Sequence, residues 1–491
     1  MTGRLRFLLD TNILIPLQDS SRVLENSLAA FVRLAQENGH QLMVHPASIE
    51  DLNRDTDEER RTRTLQRIRQ YPILQNLAPC EWNTPNTSSN EACDNSLLYA
   101  LFCDAAHALV TEDRGIHTKA RQRGLEDRVY FIQTAEDWLR RLHETRQVIL
   151  PNIQNVPLHN LTPELSMDFF DSLREGYPGF DDWFRDKARD GREAWIYREN
   201  GILAAICIYQ IQANETVNDA RDILPGAALK LCTFKVGETV RGRKIGELFL
   251  KAAFRYATEN NCENIFITAH PERQDFLIRL LKDFGFEEHG GYQSDTVLIK
   301  QHPKTPPPEN GIEPVKYLRR FFPHYRSDSV VRKFLVPIQP RYHKILFPDC
   351  QQQRELFPSG GRSGHVGNAI KLAYLCHAQT NSIQPGSILL FYRTIDQMAV
   401  TSLGVVEQFE ASDNGAKIAG LVSRRTVYSI DEIDELAKEI TKVILFRLVA
   451  HLPKSVSYKR LKNDGVITGP IQSIRKVPDA AFAQILSAAR Q

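Results

Sequence analysis

Between residues 301 and 314 the chain reads Q-H-P-K-T-P-P-P-E-N-G-I-E-P. Consecutive prolines lack an amide N–H and hold φ near −65°, so neither a helix nor a central strand runs through them. A stiff polar connector at this place forbids one continuous core for all 491 residues. The charge divides at the same point. Residues 1–299 carry 35 Lys+Arg against 44 Asp+Glu, a net of −9, and residues 300–491 carry 27 against 16, a net of +11. A basic C-terminal part predicts a polyanionic partner held by that end. A second break lies near 145–160, where I-L-P-N-I-Q-N-V-P-L-H-N-L-T-P-E-L has three prolines and little periodicity. The expected division is 1–145, 155–300, a linker with a basic-aromatic segment at 301–333, and 334–491.

A content of 42% hydrophobic and 25% charged residues excludes a disordered chain, and each third is long enough to bury a core. The eight cysteines form no C-x-x-C pair, so neither a zinc site nor a redox dithiol is signalled. No apolar run approaches the roughly 18 residues of a membrane span. Asp10 interrupts the apolar stretch at the N-terminus, which argues against a signal peptide. The expectation is a reduced, cytoplasmic location.

The first segment alternates strands (5–9, 41–44, 107–111, 128–132) with helices (21–38, 46–53, 57–70, 94–104, 115–123, 134–143). That pattern predicts a parallel sheet with helices on both faces. Asp10 and Asp113 follow apolar strands and so sit at strand C-terminal ends, where open parallel sheets place ligands. Asp51, or its neighbour Glu50, lies on the helix after the second strand, and Asp94 opens a later helix. Gathered at one sheet edge, such carboxylates repel unless a cation intervenes, and their oxygens suit Mg²⁺ or Mn²⁺. One or two such ions activate water against a phosphodiester. F-L-L-D-T-N-I-L-I, H-P-A-S-I-E-D-L and D-x18-D ending in V-T-E-D together resemble the PIN-domain nucleases over about residues 4–143. The resemblance implies a metal-dependent endoribonuclease with Asp10, Asp51, Asp94 and Asp113 as ligands. Asn12 and Thr111 would support them by hydrogen bonds. PIN domains often serve as toxins.

The second segment reads as an α+β pattern. It has a hairpin of 194–199 and 202–211 turned at Glu199-Asn200-Gly201, then a strand 228–236 and a helix 246–260. Strand 264–270, helix 272–283 and strand 296–300 follow. Between the strand 228–236 and its helix lie Val240, Arg241, Gly242, Arg243, Lys244, Ile245 and Gly246. Backbone N–H groups at such a turn make an anion site, and the basic side chains add charge for a polyphosphate. With L-I-R-L-L-K-D-F-G-F-E-E further on, this resembles the GNAT acetyltransferases over about 160–300. The resemblance implies acetyl-CoA bound at 240–246. Lys244 replaces the first glycine of the family's R-x-x-G-x-G pattern. Leu281 stands where the family often has a tyrosine as general acid. Glu238 and His270 are the candidates for the base.

In the third segment Arg319, Arg320, Arg326, Arg332 and Lys333 alternate with Tyr317, Phe321, Phe322 and Tyr325. Cations fix phosphates and aromatic faces stack bases, a combination suited to RNA. An alternative is a segment that packs these rings on a neighbouring domain. Strands at 334–338, 387–393, 400–411 and 442–449 are interrupted by helices expected at 366–378 and 431–439. F-L-V-P-I-Q-P-R-Y-H-K-I-L-F-P and P-G-S-I-L-L-F-Y-R resemble the PUA-like superfamily, closest to its ASCH and EVE branches, which implies a β-barrel that binds RNA. Gly360-Gly-Arg-Ser-Gly-His-Val-Gly367 lacks the G-K-[ST] ending of a nucleotide-binding P-loop. It is either a flexible connector or an RNA grip through Arg362.

The expected whole is a multidomain α/β protein with three readings. It is a metal-dependent ribonuclease with an acyl-CoA site and an RNA-capturing barrel, an N-acetyltransferase acting on RNA or an RNA-bound protein, or a non-enzymatic RNA-binding regulator.

Overall fold

The computed structural model describes residues 4–14, 22–54, 57–75, 77–84, 87–143, 152–240, 243–309, 311–352, 365–366, 368–422, 425 and 428–490. Two units emerge. The first holds Met1–Val148, Leu375–His377 and Glu410–Val443; the second holds Ile149–Tyr374, Ala378–Phe409 and Ile444–Gln491. The expected third domain, 334–491, is thus shared between them.

In chain order the elements begin with β1 (Arg6–Leu9), α1 (Thr11–Leu14), α2 (Arg22–Glu37), β2 (Gln41–Val44), α3 (Pro46–Asn53), α4 (Glu58–Ile68) and α5 (Ser89–Phe102). Then come β3 (Ala108–Val110), α6 (Arg114–Gln122), β4 (Val129–Tyr130) and α7 (Ile132–His143). β5 (Asn152–Pro157), α8 (Asp171–Gly176), α9 (Phe180–Arg189), β6 (Glu193–Glu199), β7 (Ile202–Ala213) and β8 (Ala227–Val236) follow. Next are α10 (Ile245–Glu259), β9 (Asn264–Ala269), α11 (Asp275–Asp283), β10 (Glu287–Tyr292), β11 (Asp295–Gln301) and α12 (Pro314–Phe321). The chain goes on through β12 (Lys333–Ile338), α13 (Pro340–Leu346), α14 (Asp349–Gln352), β13 (His365–Val366), β14 (Lys371–Cys376), β15 (Ile388–Arg393) and β16 (Ala399–Ser412). It closes with α15 (Gly415–Val422), α16 (Ile430–Leu436), β17 (Thr441–Ser457), α17 (Tyr458–Asn463), β18 (Arg475–Val477) and α18 (Asp479–Arg490).

In the first unit β2-β1-β3-β4 form a parallel sheet, with Leu9 opposite both Val44 and Val110. Phe7, Leu8 and Leu9 are all fully buried, as a strand covered on both faces requires. The expected helix at 94–104 starts earlier, at Ser89, because Ser88 caps it by accepting from the Glu91 amide. Asp94 therefore sits in the second turn rather than at the helix start.

In the second unit an eight-stranded sheet runs β10-β11-β9-β8-β7-β6-β5-β13. Neighbours are antiparallel except β8 and β9. The β6–β7 turn has Asn200 at φ 50° and Gly201 at φ 85°, the pair of positive φ angles that a two-residue hairpin needs. β5 and β10 are polar (N-I-Q-N-V-P and E-E-H-G-G-Y), so no apolar pattern announces them.

A six-stranded sheet, β14-β17-β16-β15-β12-β18, carries the remaining strands. Among the described residues no pairing joins its outer strands β14 and β18. The helix expected at 366–378 is instead the strand β14. Its K-L-A-Y-L-C run is apolar on successive residues, with Leu372, Ala373, Tyr374 and Leu375 all buried. A short continuous apolar run fits a doubly covered strand as well as a helix, and pairing with β17 decides it.

The 301–333 segment is packed within the second unit. Tyr317, Leu318, Phe321 and Phe322 are buried, and Phe322 lies 5.3 Å from the Phe254 ring of α10. Gly285 allows this seating. Its φ is +83°, and a Cβ there would stand 2.1 Å from the Arg319 carbonyl oxygen. Among the described residues no helix is long and apolar enough to cross a membrane.

Candidate functional site

β8 and β9 pair from Ala228 opposite Asn264 to Leu231 opposite Ile267, and the pairing stops there. Both strands continue, β8 to Val236 and β9 to Ala269, so a gap opens between them toward their C-terminal ends. The far edge of β8 stays paired to β7 through Phe234, Lys235 and Val236. The edge facing β9 therefore offers backbone groups to an inserted chain. The loop after β8 leads directly into α10, whose first-turn amides have no carbonyl of their own helix to bond.

Of the residues expected at this loop, Arg241 and Gly242 lie outside the described residues. Val240 is fully buried in the core and contributes packing only. Arg243 pairs with Glu199 at 2.7 Å. Lys244 takes a left-handed φ of 60°, and its Nζ donates to the Lys371 carbonyl at 2.9 Å. Ile245 opens α10. At Gly246 a Cβ would stand 2.7 Å from Leu280 Cδ2, so α10 and α11 pack closely there.

The loop is wedged by a residue that nothing in the sequence singled out. Lys371 donates its backbone N–H to Glu247 in the first turn of α10, accepts from Lys244, and pairs its ammonium with Asp283 of α11. Burial by itself would raise Asp283, but Lys371 and Arg447 hold it down to about 2.

The two candidate bases differ. His270 Nδ1 accepts from the amides of Glu272 and Arg273 at 3.3 and 3.4 Å. Glu238 stands exposed in the loop after β8. Leu281 is fully buried and brings no hydroxyl to the site.

In the first unit the expected acids do converge. Burial pushes the Asp10 carboxyl up to about 6; Asp113 and Asp94 add to the rise, against the hydrogen bond from Thr111. Burial also raises Asp94, with Lys119 opposing and Asp113 and Asp51 adding. Burial and the charges of Asp10, Asp51 and Asp94 push the Cys93 thiol up to about 12. Of the adjacent pair, Asp51 faces this group while Glu50 is exposed. Thr111 Oγ1 donates to Asp10 Oδ2 at 2.6 Å, and Asn12 Nδ2 donates to Thr111 Oγ1 at 3.1 Å.

The metal set Asp10, Asp94 and Asp113 is nonetheless not assembled. Among the described residues no three His, Cys, Asp or Glu side chains are gathered as a metal ion requires. Each carboxylate is turned to a partner of its own chain. Asp94 pairs with Lys119 at 2.9 Å, Asp113 caps α6 through the amides of Gly115 and Ile116, and Asp51 pairs with Arg54 at 2.9 Å.

The expected RNA-stacking rings are corrected by burial. Tyr317 is 1% and Phe321 7% exposed, and the Tyr317 hydroxyl donates to the Pro307 carbonyl. Arg326 is engaged by Asp328 and Glu309. Arg319 and Arg320 keep about half their side chains exposed, with Glu407 and Glu287 nearby. Arg362 lies outside the described residues.

The acetyltransferase (GNAT) family model matches residues 158–286, about a quarter of the chain. Among solved structures the chain is similar to ASCH from Zymomonas mobilis, with 12% identity over 32% of this chain and 94% of that one and a TM-score of 0.25. It is similar to the paia N-acetyltransferase from Thermoplasma acidophilum in complex with coenzyme A, with 14% identity over 30% and 99% and a TM-score of 0.24. It is also similar to an acetyltransferase of the GNAT family from Streptococcus pneumoniae, with 14% identity over 30% and 97% and a TM-score of 0.23. No curated protein matches the chain.

Proposed function

We propose that the segment matched by the acetyltransferase model is an acyl-CoA-dependent N-acyltransferase. The observation that carries this reading is the family match falling on the β8–α10 loop and the β8/β9 gap. The residues fit the ligand. First-turn amides and the positive end of the α10 dipole suit a pyrophosphate. The edges of β8 and β9 beyond their last pair, Leu231 and Ile267, suit an extended arm that carries amides. Acetyl-CoA supplies a thioester, whose carbonyl carbon bonds the acceptor nitrogen as the C–S bond breaks.

The chain's own residues shape the proton steps. The acceptor amine must lose a proton, and Glu238 and His270 are the sequence candidates to receive it. No tyrosine lies on α11 to protonate the departing thiolate. The test is calorimetric titration of acetyl-CoA into the full chain, with a thermal melt alongside. Binding with a raised Tm supports the reading. The absence of both heat and a melting shift at millimolar acetyl-CoA overturns it.

A second reading is favoured by the convergence of Asp10, Asp51, Asp94 and Asp113. In it the first unit is a metal-dependent ribonuclease, with Asp10, Asp94 and Asp113 turning from their internal partners to hold Mg²⁺ or Mn²⁺. Mn²⁺-dependent cleavage of labelled RNA, lost in Asp10→Asn, supports it; cleavage undiminished in that variant overturns it. The net +11 of residues 300–491 favours RNA as partner, met through exposed cations such as Arg319 and Arg320 rather than through rings.

A further inference from the structure

β11 lies beside β9 on the side away from β8, with Thr296 opposite Ala269. Asp295, one residue earlier, therefore stands level with His270, at the end of the sheet toward which the β8/β9 gap opens. It is 8% exposed. Its Oδ2 accepts from the Tyr177 hydroxyl at 3.0 Å, while its Oδ1 is buried without a hydrogen-bond partner. A buried carboxylate oxygen left unpaired is costly, and a cationic donor is the group that relieves it best.

The surroundings suit a cation. Tyr292 pairs with Asp295 across the β10–β11 hairpin, and directly opposed residues share a face of the sheet. Tyr177, bonded to the carboxylate, is 38% exposed, and Tyr292, across the hairpin from it, is 44% exposed, so both rings are open to a ligand. Aromatic faces attract ammonium groups. Arg273 closes the rim: its Nη1 reaches within 3.3 Å of where a Cβ on Gly176 would stand, and its charge acts on the Tyr177 hydroxyl. Arg273 is exposed, so an incoming cation can displace it. Tyr177 is no general acid here, because burial and Asp295 hold its proton more tightly than an ordinary phenol.

We infer that Asp295, between Tyr177 and Tyr292, holds an alkylammonium group of the acyl acceptor. The acceptor class is thus an aliphatic amine with a second, charged nitrogen that is held here while another, deprotonated nitrogen takes the acyl group: a small diamine, or a peptide whose lysine ammonium is the held group. This inference rests on the acyltransferase reading above.

The test measures thiol release from acetyl-CoA by the full chain with 1,5-diaminopentane, a lysine-containing peptide, or glutamate as acceptor. Turnover with one or both cationic acceptors and none with glutamate is expected, and whichever turns over identifies the source of the ammonium. Asp295→Asn should raise the KM of that amine roughly tenfold or more, the loss of a charge-assisted hydrogen bond. It should leave the KM of acetyl-CoA and its melting shift within about twofold of the parent. Should Asp295→Asn not fold, the surface variant Tyr292→Ala should raise the same KM severalfold, and Arg273→Ala should lower it. An unchanged amine KM in Asp295→Asn, or in Tyr292→Ala where that variant stands in, overturns the inference and leaves the acyltransferase reading intact. Acetyl-CoA binding without turnover on either amine also overturns it. Absence of acetyl-CoA binding is the separate failure of the acyltransferase reading.

Discussion

Arg447 and Asp283 meet in an ion pair closed to solvent on the arginine side. Arg447 Nη2 lies 3.0 Å from Asp283 Oδ1, its Nη1 donates to the Asp283 carbonyl at 3.2 Å, and the guanidinium is 0% exposed. Its Nε donates to Glu407 at 2.7 Å, so one cation serves two acids. Lys371 joins Asp283 from β14. These charges tie α11, which follows the β8/β9 gap, to β14, β16 and β17.

Removing the arginine leaves Asp283 to Lys371 and Glu407 to the more distant Arg319. Arg447→Met should destabilise the second unit by about 3–5 kcal/mol, the usual result of breaking a buried pair from one side. Urea unfolding followed by tryptophan fluorescence checks it. Asp283 is held down to about 2, below its unfolded value of 3.8. Its contribution is therefore complete above about pH 4 and is lost as the pH falls through 3.8 toward 2. Asp283→Asn should remove that part of the acid dependence.

Lys300 reports in the opposite direction. It is fully buried, donates to the carbonyls of Arg319 and Arg320, and burial with the charge of Arg447 lowers it to about 7 from 10.5. Between pH 7 and 10.5 the unfolded chain binds the proton that the folded chain has released. Stability from this group therefore rises with pH across that window. Melting the protein from pH 7 to 9.5 should show the rise, and Lys300→Met should flatten it.

Asp10 is raised to about 6 from 3.8. Between those values the folded chain keeps a proton that the unfolded chain gives up, so this group's contribution grows as the pH falls from 6 toward 3.8. Thermal melts of the first unit should show the gain, and Asp10→Asn should abolish it. If that unit takes Mn²⁺, the ion should move the dependence to lower pH.

Tyr317 and Phe321 should behave as core. Phe321→Ala should cost about 3–5 kcal/mol of stability. Tyr317→Phe, which loses only the bond to Pro307, should cost about 1 kcal/mol. At equal folded fraction neither should change RNA affinity, measured by filter binding. A selective loss of RNA affinity would restore the rings to an RNA surface.

Much of the architecture was written locally. Apolar runs such as F-L-L and A-L-V name strands buried on both faces, Asn200-Gly201 names a hairpin turn, and Pro46 after His45 opens a helix, because propensity, periodicity and capping act within a few residues. The order of the four acids, and the loop that precedes α10, were legible for the same reason. What each group is used for was settled by partners far along the chain. K-L-A-Y-L-C became a strand because β17 lay beside it, and Tyr317 and Phe321 became core because Gly285 let α12 close in. Lys244 came to face a carbonyl of Lys371, 127 residues away, and Asp94 came to face Lys119. Asp295 acquired its setting from Tyr177, 118 residues earlier. Neighbours along the chain set the local elements and the positions of the chemistry-bearing residues. Which of those residues are satisfied and which are left open follows from folding, because burial and hydrogen-bond pairing are properties of neighbours in space.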